Sequence, residues 1–386
     1  MSPDVAVVAV GHTPFGTLGR TGKDLFTEAV LQCVDSADRG LDPAAIQESW
    51  VGSLGFGGWQ LGNLAALVGE HARIPGIPAR RMENACASSG FAFRDAYLAV
   101  KSGQVEVALA GGVEVMNDVP PARQRFWLGV SGDTEWERLA GLTFPGVYAM
   151  MAVRHMHEFG TTREQLAAVA VKNHRNGARN PNAQFRKEIT VEDALRSPSV
   201  AYPFTLYDCC ATTDGATAVV LASADRAKEF TDAPVWVLGS GAATDRLALH
   251  DRETITALDA TRRAASDALR RADVRLKDID VAELHDCFTI AEILALEDIG
   301  WCPKGQGGPF TERGATALDG QVAVNPSGGL KAKGHPLGAT GTAQVYEIFR
   351  QLRGEGEGRQ RADAEIGLTH NVGGSGATCA VHIFAR

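Results

Sequence analysis

The sequence lacks several features that would place it in a specialised class of protein. Its seven cysteines include no CxxC pair, the spacing that structural zinc sites usually need. An odd number of cysteines also argues against a closed disulfide framework and favours reduced thiols inside a cell. No run of about 18 apolar residues is present, so we expect no membrane span.

Charge of one sign is not concentrated anywhere in the chain. The protein carries 38 Lys and Arg against 46 Asp and Glu, a net charge of −8 at pH 7. This acidic balance, without a Lys/Arg block, argues against a nucleic-acid partner. The first sixteen residues lack a basic segment ahead of their short apolar run, so we expect a first strand there. Together these features predict a soluble cytoplasmic protein.

What the sequence does contain is an alternation of strand-like and helix-like segments. Residues 5–11 and 105–116 are apolar runs typical of buried strands, whereas residues 23–40 place apolar side chains on one helix face. A chain of 386 residues is also longer than one ordinary core supports. We therefore predict an α/β protein made of two halves, residues 1–225 and 226–386.

The middle of the chain interrupts this alternation. Residues 117–200 contain prolines and polar stretches such as KNHRNGARNPNAQF (172–185). Long irregular segments inside compact proteins are usually functional. This pattern predicts an inserted subdomain, largely of helices and loops, that belongs to the N-terminal half and covers another part of the protein.

A faint internal repeat supports a duplicated architecture. DGATAVVLAS (214–223) and SGATCAVHIF (375–384) share Gly-Ala-Thr followed by an apolar run. Each half also has a small-residue turn that opens a helix, at 86–101 and at 335–353. Within the second copy, Cys379 falls inside the predicted strand, so we interpret it as a core residue.

The first of four segments that carry chemistry is ENACASSG (83–90). Cys86 stands there at the start of a predicted helix, among small residues. A thiolate at a helix N-terminus is stabilised by the helix dipole and by free backbone N–H groups. Small neighbours would let a substrate carbonyl approach, and the N–H of Cys86 could face an oxyanion. An ordinary buried cysteine is equally compatible with this segment alone.

The second segment, HDCFTIAEI (285–293), places two ionisable side chains where a strand-like run gives way to a helix. That is a frequent position for catalytic groups in α/β folds. The side chains are His285 and Cys287. A capping histidine beside a core cysteine is the structural alternative.

Glycine dominates the remaining two segments. NPSGGLKAKGHPLGATG (325–341) contains five glycines and holds His335 in a rigid turn, from which the ring could deprotonate a thiol. In THNVGGSGATC (369–379), Gly373 and Gly374 offer backbone N–H groups to a bound carbonyl. Simple turns between regular elements remain the alternative for both.

These four segments, in this order, resemble the thiolase family. Its members have a nucleophilic cysteine at a helix start, then an NEAF-type or HDCF-type segment, then GHPxGxxG, then a C-terminal Gly-rich turn. The resemblance covers nearly the whole chain. It implies a thiolase-like duplicated αβαβα sandwich, with the active site where the halves meet and the pantetheine of coenzyme A under the inserted loop subdomain.

Two departures from the biosynthetic and degradative thiolases identify the closer subgroup. Those enzymes have Asn-Glu-Ala-Phe where this chain has residues 285–288, and a second cysteine where this chain has Asn371. The pattern is instead similar to sterol-carrier-protein-type thiolases and archaeal-type acetyl-CoA acetyltransferases. In these, the cysteine of HDCF is the second acid/base, which implies that role for Cys287 and not for Cys379.

The resemblance also implies a role for each matched residue. Cys86 would attack an acyl-CoA thioester while His335 takes the thiol proton. The N–H groups of Cys86 and Gly373 would hold the first oxyanion. Cys287 would remove the α-proton of a second acyl-CoA, and His285 with His335 would stabilise the enolate.

Contacts with coenzyme A are less evident in the sequence. Ser240 resembles a position that contacts the pantetheine arm, and we expect Asn325 near the substrate. Four basic residues are candidates for the phosphates, although a solvated surface charge is the commoner role of such side chains: Arg175, Arg179, Lys331 and Lys333. We expect coenzyme A thioesters as substrates and no metal or redox cofactor.

Three functions remain open at this stage. The leading one is an acyl-CoA C-acyltransferase of lipid metabolism that works as a homodimer or homotetramer. A second is a C-acyltransferase of specialised metabolism inside a multi-subunit complex, with a small zinc-ribbon/OB-fold partner. The third is a non-catalytic acyl-binding or scaffold homologue, which the presence of Cys86, His285, Cys287 and His335 together disfavours.

Overall fold

The computed structural model of the protein describes residues 4–386. The strands in that range are β1 (Val5–His12), β2 (Glu48–Gly52), β3 (Ala79–Met82), β4 (Val107–Glu114), β5 (Ser199–Ala201), β6 (Phe204–Thr205), β7 (Gly215–Ser223), β8 (Val235–Thr244), β9 (Val281–Glu283), β10 (Ala323–Val324), β11 (Ile366–Gly373) and β12 (Thr378–Ala385).

The α-helices alternate with these strands along much of the chain. They are α1 (Gly22–Asp35), α2 (Leu64–His71), α3 (Ser88–Lys101), α4 (Pro121–Gly129), α5 (Phe144–Phe159), α6 (Arg163–Gly177), α7 (Val191–Arg196), α8 (Ala224–Phe230), α9 (Asp259–Ala272), α10 (Thr289–Ile299), α11 (Gly307–Glu312), α12 (Gly329–Ala332) and α13 (Thr340–Leu352). Among residues 4–386, none of the helices combines the length and hydrophobicity that a bilayer crossing requires.

The strand order shows that the chain is duplicated. The first half runs β3-β2-β4-β7-β1 and the second runs β10-β9-β11-β12-β8. In both halves the first three strands of that order are parallel, and the last two pair antiparallel. The halves join where β1 pairs with β8 over two residue pairs. The repeated Gly-Ala-Thr sequences belong to equivalent strands, β7 and β12, so the predicted duplication is confirmed.

The core is layered around two equivalent helices. Apolar side chains of α3 and α13 pack together with residues of β1 from the first half and β9 from the second. A separate cluster covers the other face of the first half with α1 and α2. A third covers the second half with α9 and α10, and there Cys379 is fully buried. This is the αβαβα sandwich that the resemblance implies.

The segment between β4 and β7 packs over the second half of the protein. It consists of α4 to α7 and the β5–β6 hairpin. Tyr148 and Met151 of α5 contact Phe288 and the first turns of α10 in one apolar cluster. The inserted segment thus covers the HDCF loop.

Candidate active site

Cys86 lies in a tight turn two residues before α3. Ala85 takes a left-handed backbone conformation, with φ of 50°, which is uncommon for a residue with a side chain. The Ser88 hydroxyl fixes this turn by donating to the Ala85 carbonyl (2.5 Å) and accepting from the Asn84 N–H (3.1 Å). The turn presents the Cys86 side chain to an internal cavity, with 7% of the residue exposed.

The small residues after Cys86 serve helix packing and not substrate access. A Cβ added at Gly90 would lie 2.6 Å from Oδ1 of Asn371, and one added at Gly341 would overlap the Gly90 backbone. The Ser89 hydroxyl accepts from the Thr342 N–H (3.1 Å). Because α3 and α13 cross at this point, the sequence expectation that these residues admit the substrate carbonyl is corrected.

The ring of His335 is held so that one nitrogen is a free proton acceptor. Its Nδ1 lies 2.7 Å from the Thr340 hydroxyl, which itself donates to the Pro336 carbonyl (2.9 Å). The hydroxyl must therefore accept from Nδ1–H, since its own proton is already used. Nε2 then carries a lone pair, and this buried atom has no hydrogen-bond partner in residues 4–386.

The ring of His285 is held in the opposite protonation pattern by Asn371. The side-chain amide of Asn371 donates to the Cys86 carbonyl (3.0 Å) and lies 3.2 Å from Nδ1 of His285. An amide NH₂ can only donate, so Nδ1 accepts and the ring proton lies on Nε2. This Nε2–H is also buried without a partner among the described residues. Asn371 thus links the turn of Cys86 to the HDCF segment.

The thiol and the two rings converge. One side-chain donor atom each from Cys86, His285 and His335 lie within 4.8 Å of one another. The two imidazole rings meet edge to face, with centroids 5.1 Å apart. The same trio of one thiol and two imidazoles is a donor set that could hold a zinc ion. It is equally the arrangement of a nucleophile, a proton acceptor and a proton donor.

Burial sets the protonation of all three groups. It raises the pKa of Cys86 to about 12, which the N–H of Gly374 opposes by donating to the sulfur. The resting thiol is therefore neutral, which corrects the expectation of a stabilised thiolate. Burial, reinforced by the charge of Lys333, lowers the pKa of His335 to about 3. Burial also lowers the pKa of His285 well below its usual value, with His335 adding to the effect.

Cys287 lines the same cavity. Burial raises its pKa well above the usual value for a thiol, and the neighbouring Cys210 and Cys86 add to this, while a hydrogen bond with Tyr148 opposes it. The Tyr148 hydroxyl donates to the Gly374 carbonyl (3.0 Å) and its ring stacks on Phe288 at 4.7 Å. No motif marks Tyr148 in the sequence, because α5 reaches this site only through the fold of the inserted segment.

The cavity that these residues share has about 530 Å³ of space, including its open mouth. Apolar side chains from the inserted segment and the Gly-rich loop form most of its wall, which Cys86, Cys287 and His335 also line. The remaining residues that line the cavity are Met116, Leu128, Phe144, Pro145, Cys209, Cys210, Ala211, Thr212, Phe288, Leu337 and Gly374. Such a wall suits an acyl chain or a thioester arm.

The backbone N–H that faces Cys86 belongs to Gly374. Its position in the cavity wall depends on a left-handed conformation, with φ of 60°. Gly373, the expected oxyanion donor, ends β11 in register with Thr378, and a Cβ there would overlap the Thr378 hydroxyl and the Asn84 carbonyl. The structure thus brings Gly374 to the cavity and leaves Gly373 in the strand.

Ser240 and Asn325 lie away from the cavity. Ser240 is 3% exposed within β8, where its hydroxyl bonds Nδ1 of His382 (3.0 Å). Asn325 is fully buried, accepting from the Leu284 N–H (2.7 Å) and donating to Glu292 (2.8 Å). Both side chains are satisfied internally, so the expectation that they contact coenzyme A is corrected.

The candidate phosphate contacts divide into two groups. Arg175 is exposed on α6, and Arg179 is exposed in the turn that follows this helix. Lys331 and Lys333 are 1% and 2% exposed, so a solvated surface charge is excluded for both. Lys333 is paired with the buried Glu283 at 3.2 Å.

Glu114 is a further residue that sequence reasoning missed. Its carboxylate, buried at the end of β4, accepts from the N–H groups of Leu54 (2.8 Å) and Phe56 (2.8 Å) and from that of Gly338 (3.0 Å). One side chain thereby ties a loop of the first half to the GHPLG turn that carries His335. The only signal in the sequence was a charged residue at the end of a buried strand.

Known proteins share both the sequence and the shape of this chain. Residues 5–225 match the thiolase N-terminal domain model, and residues 241–386 match the model of the thiolase C-terminal domain-like family. The acetyl-CoA acetyltransferase of Methanothermobacter thermautotrophicus is 49% identical, over 99% of this chain and all of the relative. Sterol carrier protein 2 of Bos taurus is 34% identical over 97% of this chain and 70% of its own length.

A solved structure of the Ltp2-ChsH2(DUF35) aldolase has the same fold. It superimposes with a TM-score of 0.85 at 24% identity and covers all of this chain and 98% of the solved one. These matches confirm the predicted family and its two predicted subgroups. Our chain belongs to the thiolase family and is an acyltransferase of the thiolase type that acts on acyl-CoA.

Proposed function

We propose that acyl transfer proceeds through a covalent acyl group on Cys86, in either the thiolytic or the condensing direction. The observation that carries this proposal is the convergence of Cys86, His285 and His335 within 4.8 Å, with the two rings in opposite tautomers. One ring accepts a proton and the other donates one. A site with both functions beside a thiol is equipped for both halves of a Claisen condensation.

In the first half, the Cys86 sulfur attacks the thioester carbon and its proton passes to Nε2 of His335. The ring can accept because it is neutral across the physiological range. The developing oxyanion receives the N–H of Gly374 and that of Cys86, and each such donor contributes roughly 2.7–4 kcal/mol to lowering the barrier. The carbon–sulfur bond to coenzyme A then breaks, and the proton on His335 neutralises the leaving thiolate.

In the second half, Cys287 as its thiolate removes the α-proton of a second acyl-CoA. Nε2–H of His285 donates to the enolate oxygen. The new carbon–carbon bond forms at the acyl carbon, the bond to Cys86 breaks, and the Cys86 thiolate regains a proton. Because the resting Cys287 thiol is neutral, it must release its own proton to solvent before this half can begin. That proton balances the one that the Cys86 thiolate takes up at the end, when Cys287 holds the α-proton.

The two halves can be separated by substituting Cys287. We expect Cys287→Ala to release coenzyme A from a first acyl-CoA at a near-normal rate and to form no 3-oxoacyl-CoA. Cys302→Ala is the matched control, since it also removes a buried thiol but one packed in the core of the second half. Loss of both steps in Cys287→Ala, with the control active, would contradict the assignment of the second base.

The proposal extends to assembly and location. The two domains are residues 1–225 and residues 226–386. The protein works as a homodimer or a homotetramer, and its location is the cytoplasm. The strand β3 supports self-association, because it forms one edge of the sheet in residues 4–386 and such edges invite pairing. A small zinc-ribbon/OB-fold partner is the alternative. Light scattering of the purified chain distinguishes a stable oligomer from a monomer that needs a partner.

A further inference from the structure

A second cavity lies behind one wall of the acyl cavity. It has about 790 Å³ of space including its mouth. Residues 209–211 line both cavities and so form a wall between them. The second cavity plays no part in the acyl-transfer steps.

The floor of this cavity holds a buried amine without a carboxylate partner. Lys331 is 1% exposed, and its Nζ donates to the Cys209 carbonyl. No Asp or Glu oxygen lies within ion-pair distance of Nζ among residues 4–386. Buried ammonium groups are normally paired, because removing one from water costs several kcal/mol.

Two other lysines with little exposure show what is usual in this protein. Lys333, two residues away, pairs with Glu283 at 3.2 Å, and Lys172 pairs with Glu292 at 2.8 Å. Lys331 differs from both because its charge faces a cavity.

The acids nearest to Lys331 are engaged elsewhere. Asp208 accepts from the hydroxyls of Thr205 (3.0 Å) and Thr289 (2.8 Å). Asp286 accepts from the side-chain amide of Asn173 (2.7 Å) and the N–H of Leu330 (2.7 Å). Burial lowers the pKa of Lys331, and the nearby thiols of Cys209 and Cys210 oppose this.

The other walls of the cavity suit an anion attached to an apolar body. Arg186 and Lys187 stand exposed at its rim, and Phe185 and Tyr207 supply aromatic surface. Nδ1 of His174 donates to the Lys187 carbonyl (3.2 Å). Lys331, Arg186 and Lys187 thus give this cavity a positive charge, although the chain as a whole has a net charge of −8.

We propose that this second cavity binds a small organic anion, a carboxylate or a phosphate ester on an apolar body, with Lys331 as the group that contacts it. The anion supplies the missing counter-charge for the ammonium. Nothing in the acyl-transfer chemistry requires such a ligand, so the inference goes beyond the proposed function.

The position of Lys331 connects this site to the acyl cavity. Its ammonium holds the Cys209 carbonyl, and the next residue, Cys210, lines the acyl cavity and donates its N–H to the Cys287 carbonyl (3.0 Å). An anion that competes for the ammonium would therefore loosen its hydrogen bond to the Cys209 carbonyl and shift the cavity wall beside Cys287.

Two sources of the anion are compatible with this chemistry. It is either the distal carboxylate of an acyl group that extends past the wall, or a separate molecule that changes the shape of the wall. Both sources predict binding of simple anions to the resting protein.

The direct test is calorimetric titration of the full chain with inorganic phosphate and with succinate. We expect binding that Lys331→Met weakens at least about tenfold. Arg179→Met, which removes an exposed arginine outside the cavity, should bind as the parent does. If Lys331→Met does not fold, the exposed pair Arg186→Gln with Lys187→Gln serves instead, with an expected loss of about threefold or more. Absence of binding, or equal affinity in parent and variants, would overturn the proposal.

A second arm, which rests on the proposed function, separates the two sources. It compares the release of coenzyme A from succinyl-CoA and butyryl-CoA, which have the same chain length. If the anion belongs to the substrate, Lys331→Met slows only the succinyl-CoA reaction. If it is a separate molecule, phosphate alters the butyryl-CoA rate in the parent and not in Lys331→Met. The titration needs no activity, so failure of acyl transfer leaves it interpretable.

Discussion

At the scale of single residues, the site depends on two neighbours that set opposite tautomers. Thr340 places the proton of His335 on Nδ1, and Asn371 places that of His285 on Nε2. The two rings are the same residue type in the same cavity, yet one can only accept and the other can only donate. Their roles are therefore determined by the partners on the far side of each ring.

Substitution of Asn371 tests this assignment. In Asn371→Asp the new carboxylate accepts from Nδ1–H of His285, so Nε2 loses its proton and can no longer donate to the enolate. We expect the condensation rate to fall by roughly 10²–10³. Asn371→Ala is the control, since it leaves the ring free to carry its proton on Nε2 and should be the milder change. A larger loss in the alanine variant would rule out tautomer control.

The two half-reactions should also differ in their dependence on pH. Because burial lowers the pKa of His335 to about 3, the ring stays an acceptor from pH 8 down to pH 5. Acylation of Cys86 should then be flat over that range, without the fall near pH 6.5 that an ordinary histidine base produces. The raised pKa of Cys287 predicts that condensation increases with pH, approaching tenfold per unit while the thiol stays mostly protonated. Rapid-quench acylation beside steady-state condensation measures both, and an acid limb in the acylation profile would contradict the account.

The sequence could predict the site residues that stand in local motifs, but not those that act through contacts with distant parts of the chain. Cys86, His285, Cys287 and His335 stand in short motifs whose composition is itself unusual, and they were found from the sequence. Asn371, by contrast, acts through atoms more than eighty residues away in the chain, and no local pattern marks such contacts. The sequence named Gly374 together with Gly373 as a possible N–H donor, but it could not choose between them, because that choice depends on where β11 ends. The burial of Lys331 is likewise marked by no motif.

At the scale of elements, the crossing of α3 and α13 positions the proposed catalytic groups Cys86 and His335. They are the same helix of the two duplicated halves, and they cross so closely that Gly90 and Gly341 have no room for side chains. Cys86 precedes the first helix and His335 the second. The closeness of this crossing therefore sets the distance between Cys86 and His335, the nucleophile and base that we propose.

Gly341→Ala should open this crossing. A methyl group there overlaps the Gly90 backbone, and overpacking of this kind typically costs about 1–3 kcal/mol in the free energy of unfolding. Because the helices carry Cys86 and His335, acylation should slow as well. Gly69→Ala in α2 is the control, since its Cβ would make only ordinary contacts and alanine favours a helix. Denaturant unfolding of both variants measures the difference, and equal stability would argue against a tight crossing.

Hydrophobic periodicity predicted the presence of α1 but not the residue at which this helix ends. The apolar pattern predicted a helix over 23–40, but α1 ends at Asp35. There the Ser36 hydroxyl donates to the Cys33 carbonyl (2.8 Å) and accepts from the Val10 N–H (2.8 Å). A side chain bonded to a neighbouring strand stops the helix, and that bond depends on tertiary contact rather than on periodicity.

At the scale of the whole molecule, duplication brings four distant segments to one cavity. The first half supplies Cys86 and Glu114, and the second supplies the two histidines and Cys287, while the inserted segment closes the cavity over them. The sequence predicted the duplication because both halves retain a Gly-Ala-Thr sequence ahead of an apolar run and a small-residue turn that opens a helix. The bonds across the halves, such as Glu114 to Gly338, could not be predicted, since each joins residues with no shared motif.

The most direct test of the account is to identify the acylated residue by mass spectrometry. The protein is mixed with acetyl-CoA, quenched in acid within seconds, digested and mapped. We predict one acetyl group, on Cys86, formed roughly 10²–10⁴ times more slowly in His335→Ala and absent in Cys86→Ser. An acetyl group on Cys210 or Cys287 in place of Cys86, or none from any acyl-CoA, would contradict the central claim.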